Sequence, residues 1–427
     1  MQHPKQLHIG LSLAASWQKG ADANNADGVP VDEHDLYLWL AQLAEKAKLD
    51  FVFRADYLFL HPRMVKHAPS TDGIDPLLLL ASIARSTQRI GLVTTVSTTF
   101  NPPFVAARQL LSLHWLSRGR AGWNIVTSIE GAENFGGDAM PAPAERYRRA
   151  AEFTDVVTQL WHSYSQKAVA EGNGMPAPID HHGEFFKVKG PLNLAAYPLG
   201  TPPLFQAGAS DIGRDFASRV ADAIFAATPE AEAGIELRAN LRARAAAHGR
   251  NPDQVRVLPG LYFFLGNTRE EAQALYRQAH AHLTLEQRYA AMQSVSGMDV
   301  RGLPMTQRIT ADMLPDASVP VRSVTHAKLL RDYIVAHTPT VEVLLSRPEV
   351  VGSAHWVAVG TVEDVVADIV SRYEQAALDG FIAVPGGSLA SLHLFFDELI
   401  PALVKRGLFR ADYEGATLRE HLNMPTE

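Results

Sequence analysis

Short β-type runs alternate with amphipathic helical patterns about eight times along this chain, and that rhythm constrains its fold more than any other feature. The runs are LHIGLSL (7–13), FVFRAD (51–56), IGLVTTVST (90–98), AGWNIVTS (121–128), PPLFQAG (202–208), DAIFAA (222–227), VRVLPGLYFFLG (255–266) and FIAVPG (381–386). Helical stripes lie between them. Leu36, Leu40, Leu43 and Ala47 mark a helix over 32–48. Pro76 and the pair Pro102-Pro103 open two more, since proline suits a first helical turn. Tyr147, Ala150, Phe153, Val157 and Leu160 share one face of the next. Further helices are expected over 230–248, from Thr268, behind a Thr361 cap, and over 391–406. Eight such units predict an α/β fold, a closed (β/α)8 TIM barrel with helices outside.

Two stretches break the rhythm, so a single domain over 1–427 carries insertions at about 165–200 and 283–355. The first contains HHGEFFKVKG, which suits a small hairpin. The second is polar, methionine-bearing and irregular in pattern. A long insertion on a barrel commonly covers its active face, so 283–355 reads as a lid, with a surface or oligomer contact as the alternative.

Composition removes whole classes of chemistry. With no cysteine, disulfides, thiolate metal sites and cysteine nucleophiles are excluded. The formal charge of −7 is spread out and no basic block occurs, so nucleic acid is not an expected partner. No apolar run reaches the ~18 residues of a membrane span. The opening MQHPKQLHIG lacks a secretory pattern, and a cytoplasmic enzyme is expected. Any redox chemistry must then come from a bound cofactor.

In such barrels the chemistry sits at the carboxyl ends of the strands. Those ends deliver Arg54-Ala55-Asp56, the run Thr94-Thr95-Val96-Ser97-Thr98-Thr99, Trp123-Asn124 with Thr127-Ser128, and Gly208-Ala209-Ser210. Most are neutral hydrogen-bonding groups. Metal hydrolases need clustered histidines and carboxylates, whereas here the first strand holds one histidine, and His181 and His182 point opposite ways on a strand; no metal site is expected. The turn GASDIG places three small residues before a helix, whose first N–H groups are unpaired and partly positive. A phosphate can sit there, with Ser210 as a hydroxyl donor and Arg214 one turn on; an ordinary tight turn with a serine cap is the alternative. No dinucleotide fingerprint is present.

Several stretches together resemble one family: IGLVTTVSTTFNPPFVAARQLLSLHWLSRGRAGWNIVTS (90–128), ENFGGD (133–138), ERY (145–147), HHGEFFKVKGPLN (181–193), QAGASDIGRDFA (206–217) and RGLFRADYEGATLREHL (406–422). They resemble the bacterial-luciferase-like flavin monooxygenases, in the branch of nitrilotriacetate, EDTA and dibenzothiophene-sulfone monooxygenases. The resemblance implies a luciferase-like barrel that binds FMN as FMNH2, supplied by a separate NAD(P)H:flavin reductase. It implies oxidation of a small organic substrate by O2 through a flavin C4a-(hydro)peroxide, and a homodimer or homotetramer. Carried over by position, Asp56, Thr95, Ser97, Thr98 and Asn124 would meet the isoalloxazine, while Tyr147, Gly208, Ala209 and Ser210 would bind the ribityl-phosphate end. Asn124, Thr95 and Trp17 are the catalytic candidates, and Phe100 and Phe104 could wall the pocket.

The chain departs from the pattern in four places. Pro143 stands where relatives usually carry a histidine, and SLAASWQKG (12–20) keeps only Trp17 of a histidine-rich stretch. His114 replaces an aspartate, and Arg54 replaces an apolar residue. Arg54 shares strand parity with Asp56 and is expected at the barrel mouth, paired with Asp56 or reading an anionic substrate group. His61, Arg63, Lys66 and His67 follow the second strand as a charged loop that could meet a carboxylate. A deazaflavin-dependent oxidoreductase and a non-catalytic flavin-binding protein are the competing readings.

Overall fold

The computed structural model describes residues 6–14, 33–60, 73–172, 174–208, 210–316, 318–352 and 354–425. Its strands are β1 (His8–Ser12), β2 (Phe51–Arg54), β3 (Gly91–Ser97), β4 (Ala121–Val126), β5 (His181–His182), β6 (Lys187–Val188), β7 (Leu204–Gln206), β8 (Ala223–Ala226), β9 (Arg256–Leu265), β10 (Trp356–Gly360) and β11 (Gly380–Pro385). Eight of them pair in parallel in the order β1-β2-β3-β4-β7-β8-β9-β11, and β11 pairs back to β1. The barrel expected from the alternation therefore closes, and every expected strand is present.

β5 and β6 form the expected small hairpin. A strand not anticipated is β10. It pairs with Leu261–Leu265 of β9, while β8 holds Arg256–Pro259 of the same strand. β10 thus raises the wall where β8 ends.

Each barrel strand is buried on both faces, as parallel strands under helices must be. Phe51, Phe53, Val93, Phe205, Ala223, Leu258 and Ile382 point inward and pack together. Their neighbours Val52, Leu92, Leu261, Phe381 and Ala383 point outward to the helices. Phe51 meets Phe205 edge-on at 5.0 Å, and Phe53 meets Phe225 at 5.1 Å.

The base is closed by the chain's own C-terminal stretch. Leu418 and Leu422 join the inward cluster. A Cβ on Gly91 would stand 2.6 Å from Leu418 Cδ1, and one on Gly122 would stand 2.9 Å from its Cδ2. Two bare strand positions thus admit one leucine. A capping box between Thr417 and Glu420 starts the short helix Leu418–His421 that delivers it.

The outer helices begin as expected. Pro76 and Pro103 sit in first turns, Asp75 caps the former, and Thr361 forms a capping box with Asp364. The 283–355 insertion differs from expectation. It is largely helical, with Leu285–Ser296, Val324–His337, Val341–Leu345 and Pro348–Val351. Met292, Val295, Val300, Ile309, Leu330, Ile334 and Leu344 give it an apolar core of its own. Its apolar spacing was obscured by short helices and many polar surface residues.

Asp50 clips the base together. It is fully buried, accepts from Ile9 N at 2.7 Å, and pairs with Arg410 at 2.5 Å. Burial alone would raise its pKa, but Arg410, His8 and the Ile9 amide outweigh burial and hold it below the usual aspartate range. A depressed carboxylate stabilises the fold fully above its unfolded pKa, and that stabilisation disappears as pH falls through the folded value. Asp50→Asn is expected to be less stable than the parent at neutral pH by about 3 kcal/mol, the scale for breaking a buried pair. In urea unfolding the gap should narrow on acidification to about pH 3; a gap constant with pH would assign the effect to packing instead.

Candidate active site at the barrel mouth

The inward positions of β3 and β4 change character toward their carboxyl ends. Val93 and Gly122 are apolar; Thr95, Ser97 and Asn124 follow on the same face. The register sets Thr95 beside Asn124, and Asn124 Nδ2 donates to Thr95 Oγ1 at 3.0 Å. Thr95 Oγ1 in turn donates to Arg54 O at 2.8 Å. This fixes the amide orientation and leaves Asn124 Oδ1 buried without a hydrogen-bond partner. A buried acceptor without a partner is costly. Its place on the inner rim fits a ligand bearing an N–H.

Ser97 exchanges a hydrogen bond with Ser128 at 2.8 Å and receives Thr99 N at 3.2 Å. Thr98 Oγ1 donates to Val126 O at 3.1 Å, so its proton is spent between strands. Phe100 stacks on Phe135 at 4.2 Å, at the edge of the rim. Phe104 packs, partly buried, against the cluster in the helix layer.

A second part of the site forms where β7 meets the helix Asp211–Val220. Ser210 caps that helix, accepting from Gly213 N at 3.2 Å, so the hydroxyl keeps its own proton for another acceptor. Tyr147, from the helix Pro143–His162, brings its hydroxyl to the same turn. A Cβ on Gly208 would stand 2.6 Å from that hydroxyl, and one on Gly213 would stand 2.7 Å from it. Gln206 Oε1 holds Gly208 N at 2.7 Å. Tyr147, Gly208 and Ser210 are therefore brought together, as the sequence suggested, and Gly213 joins them. Ala209 and Trp17 lie outside the described residues, as do His61, Arg63, Lys66 and His67. Arg214, one turn into the helix Asp211–Val220, forks its guanidinium onto Glu236 at 2.7 and 2.9 Å.

Arg54 corrects another expectation. β2 turns Phe51, Phe53 and Ala55 inward, which puts Arg54 on the helix side. It donates to Leu13 O at 2.6 Å and to the Tyr37 hydroxyl at 3.1 Å, and its guanidinium lies 4.6 Å from the centre of the Tyr37 ring. β2 ends at Arg54, so the strand parity that linked it to Asp56 does not extend to that residue. Asp56 follows the strand end, half-buried, and burial and then the nearby Asp75 raise its pKa. His114 is buried and reaches Gly200 O at 3.1 Å. Pro143 opens its helix at the first turn.

The insertion is tied to the same rim. Arg347 pairs with Glu230, just beyond β8, at 2.6 Å and with buried Glu349 at 2.9 Å. Among the described residues no group of three or more His, Asp or Glu side chains is placed to hold a metal ion. None of their helices is long and apolar enough to cross a membrane.

Fold and site together define an α/β barrel with a neutral, hydrogen-bonding mouth and a serine-capped helix start at its edge. The family described as Luciferase-like monooxygenase matches residues 34–380, and the chain belongs to that family. It is 34% identical over 435 residues to N-acetyl-S-(2-succino)cysteine monooxygenase of Bacillus subtilis (strain 168), covering 98% of this chain and 97% of that protein. It is 33% identical over 443 residues to nitrilotriacetate monooxygenase component A of Aminobacter aminovorans, with 98% and 97% covered. The structure of a riboflavin lyase with modified FMN and riboflavin superposes with a TM-score of 0.78 at 30% identity, covering 99% of this chain and 97% of that one.

The Thr95–Asn124 contact generates a test. Thr95→Val keeps the shape but leaves Asn124 Nδ2 without its acceptor, which should cost about 1–3 kcal/mol. Thr95→Val combined with Asn124→Leu should lose less than the sum of the two singles, measured by urea unfolding as a double-mutant cycle. Strict additivity would mean that the contact carries no coupling.

Proposed function

We propose that the chain is the oxygenase component of a two-component system that uses reduced FMN and O2 to oxidise a small organic molecule. The observation that carries this reading is the corner made by Tyr147, Gly208, Ser210 and Gly213, sized by two glycines and supplied with two hydroxyls at a helix start. It suits a phosphate monoester. The buried, partnerless Asn124 Oδ1 suits an N–H of the isoalloxazine. The residues present therefore fit FMN, and a relative of 30% identity is described with modified FMN bound.

FMN, reduced elsewhere, supplies the electrons for oxygen activation when bound. The chain's own part is to hold and shield. Tyr147 and Ser210 anchor the phosphate, Thr95 fixes the Asn124 amide toward the ring edge, and Ser97 lines the rim beside it. The inward aromatic packing beneath excludes water from the site's floor. The absence of a dinucleotide fingerprint and the name of the nitrilotriacetate relative, a component A, both favour a separate reductase as the source of electrons. The insertion, pinned to the rim by Arg347, is assigned as the lid.

Ser210→Asp would set a negative charge against the phosphate. FMN affinity, read by fluorescence quenching, is expected to fall tenfold or more, about 1.4 kcal/mol. Oxygenation should need an added flavin reductase; NAD(P)H turnover by this chain alone would refute the two-component reading. The lid assignment predicts that trypsin cleavage within 283–355 slows when FMN is present; equal cleavage would remove it.

A further inference from the structure

Between the upper ends of β9, β10 and β11 and the insertion lies a cavity of about 200 Å³ that the flavin reading does not use. Tyr262, Val357, Val384, Val351, His280 and His355 line it. Tyr262 and Val384 each follow by two residues an inward position of the barrel, Gly260 and Ile382. The cavity is therefore on the inner side of the rim.

His355 enters it from the insertion's last turn. Its ring stacks on Phe225 at 5.2 Å with the planes 9° apart. It occupies the room left by Gly260, where a Cβ would stand 2.4 Å from His355 Nδ1. That Nδ1 is turned to the Gly260 backbone and buried there without a hydrogen-bond partner, which leaves Nε2 as the open edge of the ring. Burial, then the nearby His326, push the histidine pKa down to about 4, so it is neutral at physiological pH. The other polar lining groups are engaged or neutral. His280 turns Nδ1 to Tyr276 O at 2.9 Å, and burial raises the Tyr262 hydroxyl to about 12. No charged side chain lines the cavity among the described residues, so an ion placed there would lose its hydration without compensation.

We propose that this cavity is the substrate subsite, that it takes an uncharged, largely apolar group near the size of a benzene ring, and that His355 Nε2 hydrogen-bonds the one polar atom of that group. The size follows from volume, since an apolar cavity of about 150 Å³ holds benzene. The assignment as substrate subsite rests on the flavin-monooxygenase reading. It places selectivity in the insertion, and it separates the group that is bound here from the ionic groups borne by the substrates of some relatives.

The test uses phenol, benzene and benzoate as probes in calorimetric titration of the full chain, with FMN titrated in parallel. Phenol is expected to bind saturably, and benzoate at least tenfold more weakly. His355→Phe keeps the stack on Phe225 and removes the nitrogens; phenol affinity should fall about tenfold while benzene affinity stays. His355→Gln should recover part of the phenol affinity, and Val384→Trp should abolish binding of both. FMN affinity should be unchanged in all three variants, so loss of FMN binding by the parent chain would sink the flavin reading separately. No phenol binding, benzoate binding as tight as phenol, or an unaltered phenol affinity in His355→Phe would each overturn the proposal.

Discussion

The seating of Leu418 against Gly91 and Gly122 decides what this barrel can be used for. A closed parallel barrel has two ends, and its inner residues must be covered at one of them. Here β3 and β4 give up side chains at their amino ends so that a leucine from the far end of the chain fills the base. Asp50 fastens the same region through Ile9 and Arg410. Apolar matter is concentrated below, and the carboxyl rim is the end left for polar groups.

That division explains why the mouth can be neutral and still selective. Its polar atoms are held by each other: Asn124 by Thr95, Ser97 by Ser128, Ser210 by Gly213. Each of these bonds leaves a proton or a lone pair facing the rim. Preorganised dipoles of this kind bind a polar heterocycle without burying a full charge. The charged residues near the site are neutralised locally instead, Arg214 by Glu236 and Arg347 by Glu230 and Glu349.

Much of this was legible beforehand. The eight-fold alternation gave the barrel because period-2 and period-3.6 patterns need only local sequence. Pro76, Pro103, Thr268 and Thr361 marked helix starts for the same reason, and the small residues of GASDIG marked the corner that Tyr147 completes. What failed was direction and partnership. Arg54 lies on its strand as expected, yet parity does not say which face is inside. Glu236, more than twenty residues on, is a partner of Arg214 that no local pattern announces. The insertion looked irregular because its core is assembled from short helices distant in sequence.

The sequence by itself determined the class of fold, the order of the barrel strands and the identity of the small-residue turn before the Asp211–Val220 helix, because each depends on residues within a few positions of one another. Only the tertiary structure decided that Leu418 closes the base, that β10 raises the wall above β8, and that His355 stands over Gly260 against Phe225. Those contacts join residues tens to hundreds of positions apart. No local pattern encodes them, since they arise from the tilt and stagger of strands once the sheet has closed on itself.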